Sequence, residues 1–278
     1  LPWRYALRCI DELGLILRAE VIWSKPNGLP ESVTDRVRRS HEQWFHFVTQ
    51  PRYYSAVDRI REPHKDPNDN RHERGRGRNF HRDGNRYASA SSANPLGALP
   101  GSVWTIPTQP LKVPAELGID HFAAFPMEFP RRIITGWSPE GICTACGEAR
   151  QLTVVRDRAV GMDVSGAIWS RNGRHSNITG RQHLERSEHV ITGEACACPD
   201  VSAPTTPAVV LDPFAGTGTT ALVASALGRV GVSVDLSADY CRLARWRTTD
   251  RGQIAAAMQV DKPTAQVQAQ LDLFGEVA

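Results

Sequence analysis

The chain of 278 residues is long enough for one large α/β domain with an insertion, and its 41% hydrophobic fraction can supply a core, which excludes a wholly disordered protein. Thirty-three Lys and Arg against 30 Asp and Glu leave a formal charge of +3, too little by itself to argue for nucleic acid, so where the charge sits matters more than its sum. No apolar run approaches the roughly 18–20 residues that span a bilayer, and the opening LPWRYALRCIDELG lacks the apolar stretch of a signal peptide, so a cytoplasmic protein with no membrane partner is expected.

In chain order, Ala6, Leu7, Ile10, Leu13, Ile16 and Leu17 recur at helical spacing and predict a helix over residues 3–18, followed by a short buried strand at Val21-Ile22-Trp23. The first residue is Leu1 on a pattern that is already helical, so a natural start further upstream is expected. SKPNGLPES (24–32) is a loop by its Pro, Gly and Ser content, and WFHFVT (44–49) returns to strand composition. From Arg59 to Arg86 the chain is polar, with nine Lys or Arg against five Asp or Glu, and reads as a basic surface segment. Order resumes near Ser102-Val103-Trp104 and runs through HFAAFPMEFPRRIITGW (121–137). Residues 138–207 form a polar insertion. A strand at Ala208 to Leu211, a turn at Asp212 to Gly218, a helix from Thr219 to about Leu227 and a strand at Val230 to Val234 then make a β-α-β unit of a parallel sheet.

The turn in that unit carries the strongest chemistry. Gly216 and Gly218 allow backbone conformations closed to other residues and bring amide groups near a ligand, while the helix opening at Thr219 aims its positive end at the same spot. Asp235, nineteen residues after Gly216, ends the next strand, where a carboxylate can accept from the hydroxyls of a ribose. Gly216, Gly218 and Ala221 also fit the loose G-x-G-x-x-G/A dinucleotide pattern. On this loop alone a nicotinamide or flavin cofactor, or a purely structural turn, stays open.

Three segments together resemble the DNA amino-methyltransferases. Asp212-Pro213-Phe214 and the glycines that follow match their cofactor motif DPFxGxGTT, and HFAAFP (121–126) resembles the segment that lines the other side of their cofactor pocket. EVIWSKPNGLPESVTDRVRRSHEQWFHFVTQPRYY (20–54) resembles the stretch after their catalytic strand. The order is that of the permuted β-type arrangement, catalytic half first. The resemblance implies an α/β, Rossmann-like methyltransferase: a parallel sheet with helices on both faces, here with a zinc-ribbon-like insertion. It implies methyl transfer from S-adenosylmethionine to N6 of adenine or N4 of cytosine in DNA, as in restriction-modification systems. Asp212, Phe214, Gly216, Gly218, Thr219 and Thr220 would hold the methionine end, Asp235 the ribose, and His121, Phe122, Ala123, Phe125 and Pro126 the remaining wall. For Phe122, Phe125 and Phe214 plain core packing is an equally good reading. The implied plan is 1–54 as the rear of the catalytic half, 55–101 as a target-recognition-like segment, 102–137 and 208–250 as the cofactor half, 138–207 as the insertion and 251–278 as a flexible tail.

The family directs the target amine with an Asp, Asn or Ser followed by Pro-Pro and an aromatic. Asp66-Pro67-Asn68 and Asn94-Pro95-Leu96 lack the second proline and the aromatic, so no catalytic residue is assigned, and the chain is expected to be an amino-terminally truncated piece that binds cofactor without methylating. A non-catalytic, zinc-containing DNA-binding remnant is the alternative. Phosphate contacts from the basic segment (Arg74, Arg76, Arg78) and from Lys25 are expected, with a solvated loop as the bland counterpart. Cys143-x-x-Cys146 and Cys196-x-Cys198 would supply the four thiolates of a structural zinc site at the root of a long polar loop, whereas Cys9 and Cys241 lie on helical patterns and read as core. Finally, Gln270-Leu271-Asp272-Leu273-Phe274 resembles the pentapeptide by which bacterial proteins bind the sliding clamp, and Gln270, Leu271, Leu273 and Phe274 would make that contact.

Overall fold

The computed structural model describes residues 2–28, 30–64, 77–80, 86–89, 94, 96–119, 124–164, 168–169, 175–176, 182–198 and 202–261. In chain order the elements are α1 (Pro2–Asp11), β1 (Ile16–Ser24), β2 (His41–Val48), β3 (Gly77–Phe80), β4 (Arg86–Ser89), β5 (Val103–Thr105), α2 (Glu128–Trp137), β6 (Gly141–Cys143) and β7 (Gln151–Val164). There follow β8 (Ile168–Trp169), β9 (His175–Ser176), β10 (Gln182–Ala195), β11 (Thr205–Pro207), β12 (Val209–Asp212), α3 (Thr219–Ala226), β13 (Val230–Ser233), α4 (Ala238–Thr249) and α5 (Arg251–Met258). They divide into two compact units, one of residues 1–60, 101–151 and 196–278, the other of residues 61–100 and 152–195.

In the first unit β1 is central, antiparallel to β2 and parallel to β5. The helix expected over 3–18 stops at Asp11. Gly14 takes a left-handed φ of 64° and the Leu15 N–H turns back to Cys9 O, so Ile16 and Leu17 enter β1 instead. Trp23, Trp104, Ile106 and Phe129 form a buried cluster joined by Trp44, Phe125, Ile133 and Trp137. Trp23 Nε1 donates to Ile106 O at 2.8 Å, giving a buried indole N–H of that cluster its acceptor.

The second part of the unit is the parallel pair β12–β13 with α3 on it. Met127, the N-cap of α2, and Ile134 of α2 pack with Leu222, Val223 and Ala224 of α3 and Ala257 of α5. Phe129, Ile133 and Trp137 of the same helix α2 face the aromatic cluster. Among the described residues, therefore, the single parallel sheet with helices on both faces is not continuous. Two ladders are joined through α2 rather than by backbone hydrogen bonds, and on β12–β13 the side chains of Val209, Leu211, Val230 and Val232 are exposed. The expectation of an α/β unit with parallel strand pairing holds.

Residues 251–258, expected to begin a tail, form α5. Asp250 caps it by accepting from Gln253 N, and Ala255 and Ala257 are buried, so small side chains dock a helix that has no marked apolar stripe. Within the second unit, β3 and β4 are antiparallel, and the fourteen-residue strands β7 and β10 pair with each other. The long polar loop expected between the cysteine pairs is thus largely a ladder, which satisfies backbone groups without needing a core of its own.

Candidate functional site

The loop from Asp212 to Gly218 continues the parallel ladder before it leaves it: Val234 N donates to Asp212 O and Ala215 N to Val234 O, both at 2.9 Å. Asp212 then organises the turn. Its Oδ1 accepts from Phe214 N at 3.1 Å and its Oδ2 from the Thr220 hydroxyl at 2.6 Å. Asp235, at the tip of the neighbouring strand, accepts from Gly216 N at 2.8 Å and from Ser237 N at 2.9 Å, tying the loop to the start of α4. Ser237 caps α4 by accepting from Tyr240 N. One carboxylate on each strand end thus fixes the loop, and each of their oxygens keeps a further lone pair.

The two glycines do different work. Gly218 is the N-cap of α3 at φ 74°, and a Cβ there would lie 2.6 Å from Ala244 Cβ on α4, so it permits the close approach of two helices. Gly216 is also left-handed, at φ 50°, but a Cβ there would meet nothing within 4 Å. The space above Gly216 is open. Phe214, at 87% exposed, stands on the same loop without a core to join, so the core-packing reading fails for it. A cavity of about 250 Å³ opens beside these residues, lined by Ala215, Gly216, Ser233, Asp235, Cys241 and Arg245 among others. It is smaller than the usual small-molecule pocket of roughly 300–1,000 Å³, so a nucleoside ligand would extend over the loop's open rim. A larger cavity of about 620 Å³, between α2 and the root of β12, is lined by no charged side chain and suits a cofactor less.

Of the expected site residues, the structure brings together Asp212, Phe214, Gly216, Gly218, Thr219, Thr220 and Asp235. The side chain of Thr219 points inward. It is 1% exposed, and its hydroxyl meets Thr217 Oγ1 at 3.2 Å and accepts from Arg247 at 2.7 Å, so it supports the loop from beneath. Arg247 escaped sequence reasoning. Its guanidinium also donates to Thr217 O and Thr217 Oγ1, all neutral acceptors, and burial pulls it down to about 10, still cationic at neutral pH. The signal was present in the helical period, since Arg247 falls one turn after Leu243 and Ala244 on the buried face of α4. Cys241, expected in the core, is exposed beside Asp235, to whose carbonyl its thiol donates at 3.7 Å, while Cys9 is buried as expected.

Phe125 and Pro126 lead into α2. The Phe125 ring packs edge-on against Trp44 at 6.0 Å, and Pro126 O accepts from Phe129 N, so core packing is the observed role of that ring. His121, Phe122 and Ala123 lie outside the described residues, as do Arg74, Arg76 and the candidate clamp residues Gln270, Leu271, Leu273 and Phe274; Arg78 is described only as part of β3. Lys25 is bonded to Glu42 and lies 4.3 Å from the centroid of Trp23, so its charge is already engaged.

The four paired cysteines do converge. The Sγ atoms of Cys143, Cys146, Cys196 and Cys198 all lie within 4.8 Å of one another, and none is in a disulfide. The N–H groups of Cys146 and Ala145 hold the Cys143 thiol down at about 6, whereas the neighbouring Cys196 pushes Cys198 up to about 12. Four thiolates this close cannot all ionise without a cation to balance them, and the set is able to hold one.

A sequence model of the N6/N4 methyltransferases, described as DNA methylase, matches residues 4–144 and 202–245 and leaves out most of the cysteine-bearing excursion. The type II methyltransferase M.SmaI of Serratia marcescens is 27% identical over 250 residues, 90% of this chain and 52% of that protein. M.Cfr9I of Citrobacter freundii, also a type II methyltransferase, is 31% identical over 141 residues, 51% of this chain and 35% of that protein. The chain therefore spans about half the length of M.SmaI. Among solved structures, the PvuII DNA methyltransferase (cytosine-N4-specific) superposes with a TM-score of 0.48 at 16% identity, over 93% of this chain and 61% of that one. Because the matched residues contain both the β1–β2–β5 ladder and the loop from Asp212 to Thr220 with Asp235, the chain belongs to the N6/N4 family of DNA methylases.

Proposed function

We propose that the loop from Asp212 to Thr220, with Asp235, binds S-adenosylmethionine, and that the chain forms the cofactor half of an enzyme that methylates N6 of adenine or N4 of cytosine in DNA. The observation that carries this reading is the open Gly216, left-handed and unobstructed, between the Asp235 carboxylate and the start of α3, in a chain of this family. Bound S-adenosylmethionine would supply an electrophilic methyl group to the target amine, in exchange for an amine proton. The protein's part is to bind and orient. The α3 N-terminus favours the carboxylate of the methionine end. The remaining lone pairs of Asp235 suit ribose hydroxyls. Phe214, exposed on the same loop, is free to contact the methionine end.

Arg74, Arg76 and Arg78 are proposed to contact DNA phosphates, and Gln270 to Phe274 a bacterial sliding clamp. The type II names of the relatives support a restriction-modification setting. Among the described residues no helix is long and apolar enough to cross a membrane. A structural zinc ion on Cys143, Cys146, Cys196 and Cys198 belongs to the same reading. The 278 residues contain no Pro-Pro step, so the chain by itself is expected to bind cofactor and not to transfer methyl groups. Calorimetry with S-adenosylhomocysteine and with NAD tests the cofactor: binding of the first is expected, and binding of NAD alone would overturn the reading. Incorporation of labelled methyl groups into DNA by this chain would overturn the assignment of the catalytic residues to some other segment.

A further inference from the structure

The cysteine cluster sits at the end of β6, which pairs with β11, the strand that leads toward the cofactor loop. Cys143 ends β6, and a tight turn closed by Gly147 N donating to Cys143 O at 2.8 Å presents Cys146 beside it. Cys196 and Cys198 follow the end of β10 directly. A tetrahedral zinc ion with sulfur at about 2.3 Å spaces its thiolates by about 3.8 Å; Cys143 and Cys198 are 3.7 Å apart and Cys196 and Cys198 3.3 Å. From the cluster the connection is short and made of backbone. Thr205, Thr206 and Pro207 of β11 pair with Cys143, Ile142 and Gly141, and Thr144 adds bonds to Pro204 O from both its amide and its hydroxyl. Only Ala208 separates β11 from β12, and its carbonyl accepts from Val230 N, the first amide of β13. The buried Arg229 guanidinium donates to Ser138 O at 2.7 Å and so ties the start of β13 to the approach of β6.

The strand pairing at this root is short. The β6–β11 ladder has three residues a side, and all three of β11 are exposed, too little for an independent two-stranded ribbon. We propose that one zinc-class cation held by Cys143, Cys146, Cys196 and Cys198 pins β11, and through Ala208 the β12–β13 pair, so that metal occupancy governs the order of the cofactor loop and the affinity for its ligand. The affinity clause rests on the cofactor reading above; the strand-ordering clause does not. Soft thiolate ligands in a closed shell select zinc over the harder divalent ions, and a shell without an open position makes the ion structural.

The test uses the full 278-residue chain. Elemental analysis is expected to find about one zinc per chain, and cobalt substitution to give the absorption of a tetrahedral tetrathiolate. The zinc is then stripped with a mercurial and chelator and restored, with two readouts in each state. Hydrogen exchange at the β12–β13 amides is expected to quicken on stripping and recover on restoration, and S-adenosylhomocysteine affinity to fall about ten-fold and return. The Cys196→Ser/Cys198→Ser chain should resemble the stripped protein, but the stripping cycle decides the matter even if that variant does not fold. Absence of zinc and of the cobalt signature overturns the site. Zinc that binds yet changes neither exchange nor affinity overturns the linkage. Exchange that follows zinc while S-adenosylhomocysteine binds in neither state upholds the linkage and sinks the cofactor reading instead.

Discussion

Replacing Gly218 by alanine puts a methyl group into a space the structure does not have. The new Cβ would lie 2.6 Å from Ala244 Cβ and 2.9 Å from Ala244 Cα, and neither is the end of a flexible side chain that could swing away. Overpacking of this kind costs about 1–3 kcal/mol. A left-handed φ of 74° at a non-glycine residue adds about 1–2 kcal/mol, and the stiffer unfolded chain offsets about 0.4–1 kcal/mol. The sum is a destabilisation of about 2–4 kcal/mol, or roughly 5–15 °C in melting temperature for a chain of this size. Gly216→Ala carries the φ term and the same offset but no overpacking, since nothing lies within 4 Å of its Cβ, and should cost no more than about 1.6 kcal/mol. Far-ultraviolet circular dichroism during heating and in urea measures both. Adding Ala244→Gly to Gly218→Ala removes the Cβ–Cβ overlap and should recover about 1 kcal/mol or more in a double-mutant cycle. The reasoning is refuted if Gly218→Ala melts with the unmodified chain, or if the cycle shows no coupling. For ligand binding the order reverses in proportion: Gly216→Ala should weaken S-adenosylhomocysteine far more than its small stability loss explains.

Three further outcomes are expected. Arg247→Met removes charged donors from Thr217 and Thr219 but also a desolvated cation, and should destabilise the chain in urea by about 2–4 kcal/mol; unchanged stability would show that the loop does not lean on it. Phe214→Ala should leave stability within about 0.5 kcal/mol, because the ring is 87% exposed, while lowering S-adenosylhomocysteine affinity in calorimetry. His46 is held below its ordinary 6.5 by burial against Tyr53 and Trp137 and secondarily by Arg18. The unfolded chain therefore takes the proton first: the stability tied to neutral His46 is complete above 6.5 and is lost as pH falls through the lower folded value. Melting temperatures from about pH 8 to 5 should fall less steeply in His46→Gln.

The β-α-β unit was legible almost to the residue because three local signals agree there: an apolar run, a glycine turn and an apolar helix, each read within a dozen positions. Elsewhere a local signal was ambiguous. Apolar residues four apart share a face in a helix and in a strand alike, so Ile16 and Leu17 fitted both, and only Gly14's left-handed turn assigns them to β1. Small alanines hid α5 for a related reason, since they dock closely without marking an apolar stripe.

The motif, the two cysteine pairs and the family they sit in follow from residue type and short spacing. Which of those residues meet depends on long-range packing. It carries Cys196 and Cys198 back to Cys143 and Cys146 across a long excursion, sinks Thr219 beneath the loop, and slides Arg247 of α4 under it. It leaves Gly216 open where Gly218 is closed, two glycines that spacing cannot tell apart. The physical reason is the same throughout: local chemistry sets what a residue can do, and the close approach of elements far apart in the chain sets what lies within reach of it.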